Sequence, residues 1–197
     1  MRSVFPPSRE ARLTLVTGGT RSGKSRFAVQ LAAGFGRRIV YLATCQPSDQ
    51  EMRHRIACHR KERPAQWKTI EPPADPAEVL AHLDGKADGL ILDCLTMYVA
   101  QLVVAGRSDA RIEQAVRRLC LVAHRAGPPV ILVTNEVGAG LVPEYPMGRR
   151  FRDLAGRANQ IAAALAEAVY LLVAGIPVLI KPPATAHRSR HASRSTR

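Results

Sequence analysis

A glycine-rich loop near the N-terminus constrains the fold of this chain more than any other feature. It spans Gly18–Ser25, follows the apolar run Leu13–Thr17, and precedes Lys24–Ala33, where apolar residues recur at helical spacing. The loop has the G-x-x-x-x-G-K-S pattern of a phosphate-binding P-loop, in the strand–loop–helix context that the motif requires. Gly18 and Gly23 allow successive backbone N–H groups to face one phosphate chain, and the helix start adds the positive end of its dipole. We therefore predict a nucleoside triphosphate site at Gly18, Gly19, Thr20, Arg21, Ser22, Gly23, Lys24 and Ser25.

Three side chains are candidates for the chemistry around the phosphates. Lys24 would neutralise the outer phosphates, and the Ser25 hydroxyl would ligate Mg²⁺. The apolar run Leu90–Leu92 ends in Asp93, which is where P-loop proteins place a carboxylate that holds the metal. An aspartate at this position can also be only the cap of the following helix. In the presence of the P-loop, the metal role is favoured.

The remainder of the chain alternates continuously apolar runs with stretches of helical periodicity. Such a pattern predicts a P-loop α/β fold, with a mostly parallel sheet covered by helices on both faces and a C-terminal hairpin. The predicted strands are 39–43, 89–93 and 130–134, followed by a hairpin of 169–173 and 178–180. The predicted helices are 50–61, 95–104, 111–125 and 149–168.

The chain is predicted to form one P-loop domain at residues 12–181, with a flexible N-terminal extension at 1–11 and a disordered basic tail at 182–197. No apolar run is long enough to span a bilayer, and no secretory apolar segment follows the N-terminus, so a cytoplasmic protein is expected. The net charge is +13, and residues 1–12 and 182–197 contribute six of these charges. A solvated basic tail is the simpler interpretation; docking on a polyanion is the alternative.

Two further segments carry polar residues that suit phosphate chemistry. In the charged helix predicted at 50–61, His59 is followed by Arg60, Lys61 and Arg63. A histidine on such a helix is ordinarily a surface residue, yet a neutral imidazole among cations would suit attack on a nucleotide α-phosphate. Glu136 follows a predicted strand, and ligands bind beyond the carboxyl ends of strands in open parallel sheets. Glu136 is therefore expected beside the P-loop, as a candidate general base.

Four segments together resemble one family, the bifunctional adenosylcobinamide kinase / adenosylcobinamide-phosphate guanylyltransferases. These are the loop GGTRSGKS, the stretch YLATCQPSDQEMRHRIACHRKERP, the pair TNEVGAGLVP and RRFRDLAGRANQ, and the C-terminal GIPVLIK. The likeness runs from about Leu13 to Lys181. A P-loop is shared by many proteins, whereas this ordered set is far more specific.

The resemblance implies two reactions. Adenosylcobinamide would be phosphorylated by ATP or GTP, and GMP from GTP would then pass through a histidine to adenosylcobinamide phosphate. By the match of HRKERP, the guanylylated histidine is His59; Cys58 stands where some relatives carry a second histidine. The resemblance also implies Mg²⁺, a RecA-like sheet and a homotrimer. A nucleic-acid partner is not expected, because the clustered arginines of the tail are weak evidence for one. Beyond the P-loop, it places Ala43, Thr44, Cys45, Arg60, Lys61, Glu62, Arg63, Glu71 and Asp93 around the nucleotide.

Two other functions are compatible with the P-loop. A simple small-molecule kinase would use Lys24, Ser25 and Asp93 and would not need His59. A GTP-binding module whose basic tail meets nucleic acid would show salt-sensitive polyanion binding that depends on the residues after Lys181. Neither alternative accounts for the histidine segment and the NEVGAG segment in the same chain.

Overall fold

The computed structural model describes residues 11–45, 50–61, 63–71, 75–83 and 85–184. The predicted extension at 1–11 and the predicted tail at 182–197 lie almost entirely outside these ranges. Within them, none of the helices combines the length and apolar character needed to cross a bilayer.

A seven-stranded sheet forms the centre of the described chain, in the order β3-β2-β4-β5-β1-β6-β7. All neighbouring strands are parallel except β6 and β7, which form an antiparallel hairpin. The predicted P-loop α/β fold, with its mostly parallel sheet and C-terminal hairpin, is confirmed. The strands are β1 (Leu13–Gly18), β2 (Ile39–Ala43), β3 (Lys68–Ile70), β4 (Gly89–Asp93), β5 (Val130–Val133), β6 (Ala168–Val173) and β7 (Ile176–Lys181).

The helices follow the predicted positions with small changes at their ends. The sixth helix ends at Leu165 rather than at Ala168, because Ala168 already pairs with β1 as the first residue of β6. Strand β3 and the short third helix were not predicted, because three and seven residues are too few to show a clear periodicity. The helices are α1 (Lys24–Ala32), α2 (Gln50–Lys61), α3 (Pro76–His82), α4 (Leu95–Val104), α5 (Asp109–Arg125) and α6 (Pro146–Leu165).

Two apolar clusters lie on opposite faces of the sheet. Because successive strand residues point to opposite faces, Leu90 and Leu92 of β4 belong to one cluster and Ile91 to the other. Helix α1 covers the Ile91 face, and α3 to α6 supply the cluster on the other face. Helices on both faces were predicted from the uninterrupted apolar strands.

The P-loop follows β1, an interior strand of the sheet, and contacts the C-terminal hairpin. Strand β1 lies between β5 and β6, and the Gly175 N–H between β6 and β7 donates to the Ser22 carbonyl at 3.0 Å. Gly18 has φ +149°, and a Cβ atom there would lie 2.5 Å from the Leu172 carbonyl oxygen. A side chain at this position would therefore push β6 away from the loop.

Lys181, at the end of β7, stabilises the end of α6. Its ammonium donates to the carbonyl oxygens of Ala163 at 2.9 Å and Ala164 at 3.3 Å, which lie in the last turn of the helix. A cation at this end interacts favourably with the helix dipole and with carbonyls that have no intrahelical partner. We expect Lys181→Met to lower the free energy of unfolding by about 1 kcal/mol. Denaturant unfolding checks this, with exposed Lys86→Met as the control that should change little.

Candidate active site

Lys24 turns back onto the P-loop that it belongs to. Its ammonium donates to the Gly19 carbonyl at 2.5 Å and lies 3.4 Å from both Ser22 Oγ and Asn135 Oδ1. Only 9% of the residue is exposed. Burial is the main cause that lowers the pKa of the Lys24 ammonium from its ordinary value. A desolvated cation held by neutral acceptors is well suited to receive phosphate oxygens.

Ser25 and Asp93 form the second part of the site. The Ser25 hydroxyl donates to Asp93 Oδ2 at 2.7 Å, and the Tyr41 hydroxyl donates to the same oxygen. Burial, then the charge of Asp93, raises the pKa of Tyr41 well above its usual value, so the phenol stays protonated and remains a donor. A hydroxyl and a carboxylate oxygen in this proximity are the hard ligands that Mg²⁺ prefers, and the remaining positions are ordinarily filled by water and phosphate. The residues present therefore fit the metal.

Arg63 packs against Tyr41, the tyrosine that donates to Asp93. Its guanidinium carbon lies 3.6 Å from the centre of the Tyr41 ring, and it approaches the Glu71 carboxylate at 3.9 Å and Thr69 Oγ1 at 3.4 Å. Only 7% of its side chain is exposed, and its buried Nε has no hydrogen-bond partner within the described part of the chain. Two residues expected around the nucleotide, Arg63 and Glu71, are thus neighbours and lie beside the Tyr41–Asp93 pair.

The segment that follows β2 is fixed to the end of β4. Thr44 Oγ1 donates to the Cys94 carbonyl and accepts from the Cys94 N–H, both at 2.7 Å. The Thr44 carbonyl also accepts from Gln101 Nε2 of α4 at 2.5 Å. Ala43, Thr44 and Cys45, expected around the nucleotide, therefore lie along Asp93 at the carboxyl edge of the sheet.

Glu136 lies beside the P-loop, where the topology of a parallel sheet predicts it. Its backbone N–H donates to the Gly18 carbonyl at 3.1 Å, and its Oε1 accepts from the Thr17 hydroxyl at 2.5 Å. The amide of Asn159, from α6, donates to the same Oε1 at 3.1 Å. The carboxylate, the P-loop lysine and the Ser25–Asp93 pair thus converge at one edge.

Several residues that hold the site together were not predicted. Thr17, Tyr41 and Asn159 are polar residues that are 9% exposed or less. The available signal was a polar side chain inside an otherwise apolar strand or helix stripe, since such a group needs a hydrogen-bond partner when buried. That signal does not name the partner, which lies far away in sequence in each case.

The predicted nucleophile lies on α2, and the structure leaves its role as a prediction. His59 belongs to this helix, on which His54 and Arg60 are exposed. The side chains of Cys58, His59 and Lys61, together with Glu62, lie outside the described part of the chain.

Comparison with known proteins places the chain in a family. The profile described as cobinamide kinase / cobinamide phosphate guanyltransferase matches residues 14–180. The bifunctional adenosylcobalamin biosynthesis protein CobU of Salmonella typhimurium is 42% identical over 188 residues, covering 86% of this chain and 99% of the relative. The protein CobP of Pseudomonas aeruginosa, with the same description, is 41% identical over 170 residues, covering 85% and 96%.

Among solved structures, a KaiC-like protein from Pyrococcus horikoshii is similar with a TM-score of 0.49 and 18% identity, covering 81% of this chain and 71% of that one. The family profile and the curated relatives extend over nearly the whole described domain, including every segment of the site. The chain belongs to the cobinamide kinase / cobinamide phosphate guanyltransferase family.

Proposed function

We propose that this protein phosphorylates adenosylcobinamide with ATP or GTP and then transfers GMP from GTP to the new phosphate. The observation that carries the proposal is the convergence of Lys24, the Ser25–Asp93 pair and Glu136 at one sheet edge, in a chain of this family. A lysine, a hydroxyl–carboxylate pair and a second carboxylate supply what phosphoryl transfer to an alcohol requires.

In the kinase step, the acceptor hydroxyl oxygen of adenosylcobinamide forms a bond to the γ-phosphorus. The bond between that phosphorus and the β–γ bridging oxygen breaks, and the nucleoside diphosphate leaves. Glu136 accepts the proton of the hydroxyl, and Lys24 with the P-loop N–H groups stabilises the charge on the phosphoryl oxygens. Ser25 and Asp93 are the residues that would hold Mg²⁺, which would neutralise phosphate charge when bound.

In the guanylyltransferase step, a nitrogen of His59 forms a bond to the α-phosphorus of GTP, and pyrophosphate leaves. A phosphate oxygen of adenosylcobinamide phosphate then attacks the same phosphorus, which breaks the P–N bond and frees the histidine. The product is adenosylcobinamide-GDP. Two displacements through a phosphoramidate conserve the transfer potential of GTP. The remaining nucleotide contacts are proposed to come from Arg60–Arg63, Glu71 and the segment Ala43–Cys45.

We further propose a cytoplasmic homo-oligomer, a trimer by resemblance to the family. Strand β7 is an edge strand and leaves four apolar residues at least 37% exposed: Ile176, Val178, Leu179 and Ile180. An unpaired apolar edge favours association with a second copy. Sedimentation equilibrium is expected to give three times the chain mass of 21.5 kDa. Ile176→Arg with Ile180→Arg should lower that mass; an unchanged mass would place the interface elsewhere, and a wild-type monomer would contradict the oligomer.

The proposed function is tested by incubating the protein with adenosylcobinamide, Mg²⁺ and ATP or GTP, and measuring the corrinoid product by mass spectrometry. The expected products are adenosylcobinamide phosphate with either nucleotide and adenosylcobinamide-GDP with GTP. Formation of the phosphate alone would favour a simple kinase. Failure to form either product, with nucleotide binding demonstrated separately, would overturn the enzymatic proposal in favour of a binding module.

A further inference from the structure

We propose that Asn159 is a positioning residue for the kinase step and that it acts by orienting the Glu136 carboxylate. This inference rests on the proposed function, in which Glu136 accepts the proton of the acceptor alcohol. Asn159 lies on α6, at the carboxyl edge of the sheet, and 9% of the residue is exposed.

The amide of Asn159 is bonded at both ends. Its Nδ2 donates to Glu136 Oε1 and to the Asn135 carbonyl, both at 3.1 Å. Its Oδ1 accepts from the Thr134 hydroxyl at 2.6 Å. Thr134, Asn135 and Glu136 are consecutive residues after β5, so one side chain of α6 fixes the whole turn. A buried amide whose donor and acceptor are both used has one defined orientation.

The two oxygens of the Glu136 carboxylate have different surroundings. Thr17 and Asn159 both donate to Oε1, and no hydrogen bond to Oε2 is found within the described residues. Oε1 is thus held by two donors, which leaves Oε2 as the oxygen that can take a proton from a substrate hydroxyl. A base held in one orientation avoids the loss of rate that accompanies a misplaced catalytic group.

The same turn reaches the phosphate side of the site. Asn135 Oδ1 lies 3.4 Å from Lys24 Nζ, and Asn135 Nδ2 lies 3.5 Å from Thr20 Oγ1. Asn159 binds both the Asn135 carbonyl and the Glu136 carboxylate, and Asn135 in turn contacts the P-loop. Asn159 therefore fixes the position of the proton acceptor relative to the P-loop. This coupling distinguishes its contacts from those of an ordinary buried core amide.

The experiment compares Asn159→Ala and Thr17→Val with wild type and with Glu136→Gln. Each removes one donor to Oε1 from a different element, so the two do not share a folding defect. Each is expected to lower the kinase kcat about 10- to 100-fold, with KM for the nucleotide and the GTP-dependent guanylylation of the protein nearly unchanged. Gln160→Ala, the exposed amide next to Asn159 on α6, is the matched control and should retain full kcat.

The double variants test whether Asn159 acts through Glu136. In the Glu136→Gln background, Asn159→Ala should cost less than about twofold, because the base that Asn159 orients is already removed. A merely structural role predicts the full loss in both backgrounds and a parallel loss of guanylylation. Either of those results, or a wild-type kcat in Asn159→Ala, overturns the proposal.

A structural measurement, which does not depend on enzymatic activity, tests the orienting role of Asn159 separately from the proposed function. Crystal structures of wild type and Asn159→Ala should show the Glu136 carboxylate rotated or displaced in the variant. If wild type does not phosphorylate adenosylcobinamide, the proposed kinase function has failed, and with it the catalytic purpose assigned to Asn159. An unmoved Glu136 carboxylate in Asn159→Ala overturns the orienting role itself, whatever the activity.

Discussion

Substituting His59 with alanine is expected to abolish the covalent GMP adduct and to lower guanylyl transfer at least about 1,000-fold, while the kinase reaction continues. The reason is that the nucleophile forms a bond in the guanylyl step only, whereas phosphoryl transfer uses Lys24, Glu136 and the Ser25–Asp93 pair. Intact-protein mass after incubation with GTP and Mg²⁺ gives the result directly, since wild type should gain one acid-labile GMP.

His54→Ala is the matched control for this experiment. His54 is an exposed histidine on the same helix, so the variant should form the adduct like wild type. Peptide mapping of the wild-type adduct must place it on His59. An adduct that persists in His59→Ala, or that maps to another residue, contradicts the assignment, and the absence of any adduct on wild type that binds GTP favours the simple kinase.

Lys24→Met is expected to lower both reactions about 100- to 1,000-fold, because one ammonium serves the phosphates in each. The folded protein should nevertheless lose no stability. Burial disfavours the charged form of Lys24, as its lowered pKa shows. Of its hydrogen-bond acceptors, the Gly19 carbonyl is close, whereas Ser22 Oγ and Asn135 Oδ1 both lie at 3.4 Å. Removing the charge therefore relieves a desolvation cost.

Steady-state kinetics of both reactions and denaturant unfolding of the variant check this pair of effects. Lys86→Met, at an exposed position, is the matched control and should leave both rates and the stability unchanged. A Lys24→Met variant that unfolds more readily than wild type would mean that Lys24 stabilises the fold, which contradicts the prediction. A variant that keeps one of the two reactions would mean that the steps use separate phosphate sites.

Most of the fold followed from periodicity because its strands are continuously apolar. Strands β2 and β4 and helices α2 and α4 have the predicted bounds, and the hairpin of β6 and β7 is present. Strand β3 was missed since its three residues are partly exposed and carry no apolar run. The end of α6 was misplaced because Ala168 continues the helical stripe in sequence, while pairing with β1 decides its actual state.

Site residues could be predicted where they belong to a local sequence motif of known chemistry. They could not be predicted where their role depends on a hydrogen bond to a residue far away in sequence. The P-loop and Asp93 could be recognised from the residues around them. Tyr41 and Asn159 could not, because their hydrogen bonds to Asp93 and Glu136 join elements that only the sheet topology brings together. Arg63 was expected at the nucleotide; its packing on the Tyr41 ring depends on β3, which the sequence pattern did not reveal.

The position of β1 has a consequence for how the protein is made. The P-loop strand is synthesised early, yet its neighbours on either side come from late segments, with Leu13 opposite Val130 and Thr14 opposite Ala168. The hairpin whose Gly175 supports Ser22 is later still. A nascent chain on the ribosome therefore holds the phosphate loop unfinished until the last strands emerge, and such distant pairing slows folding. We therefore expect the phosphate loop to reach its final geometry only after β6 and β7 have been synthesised.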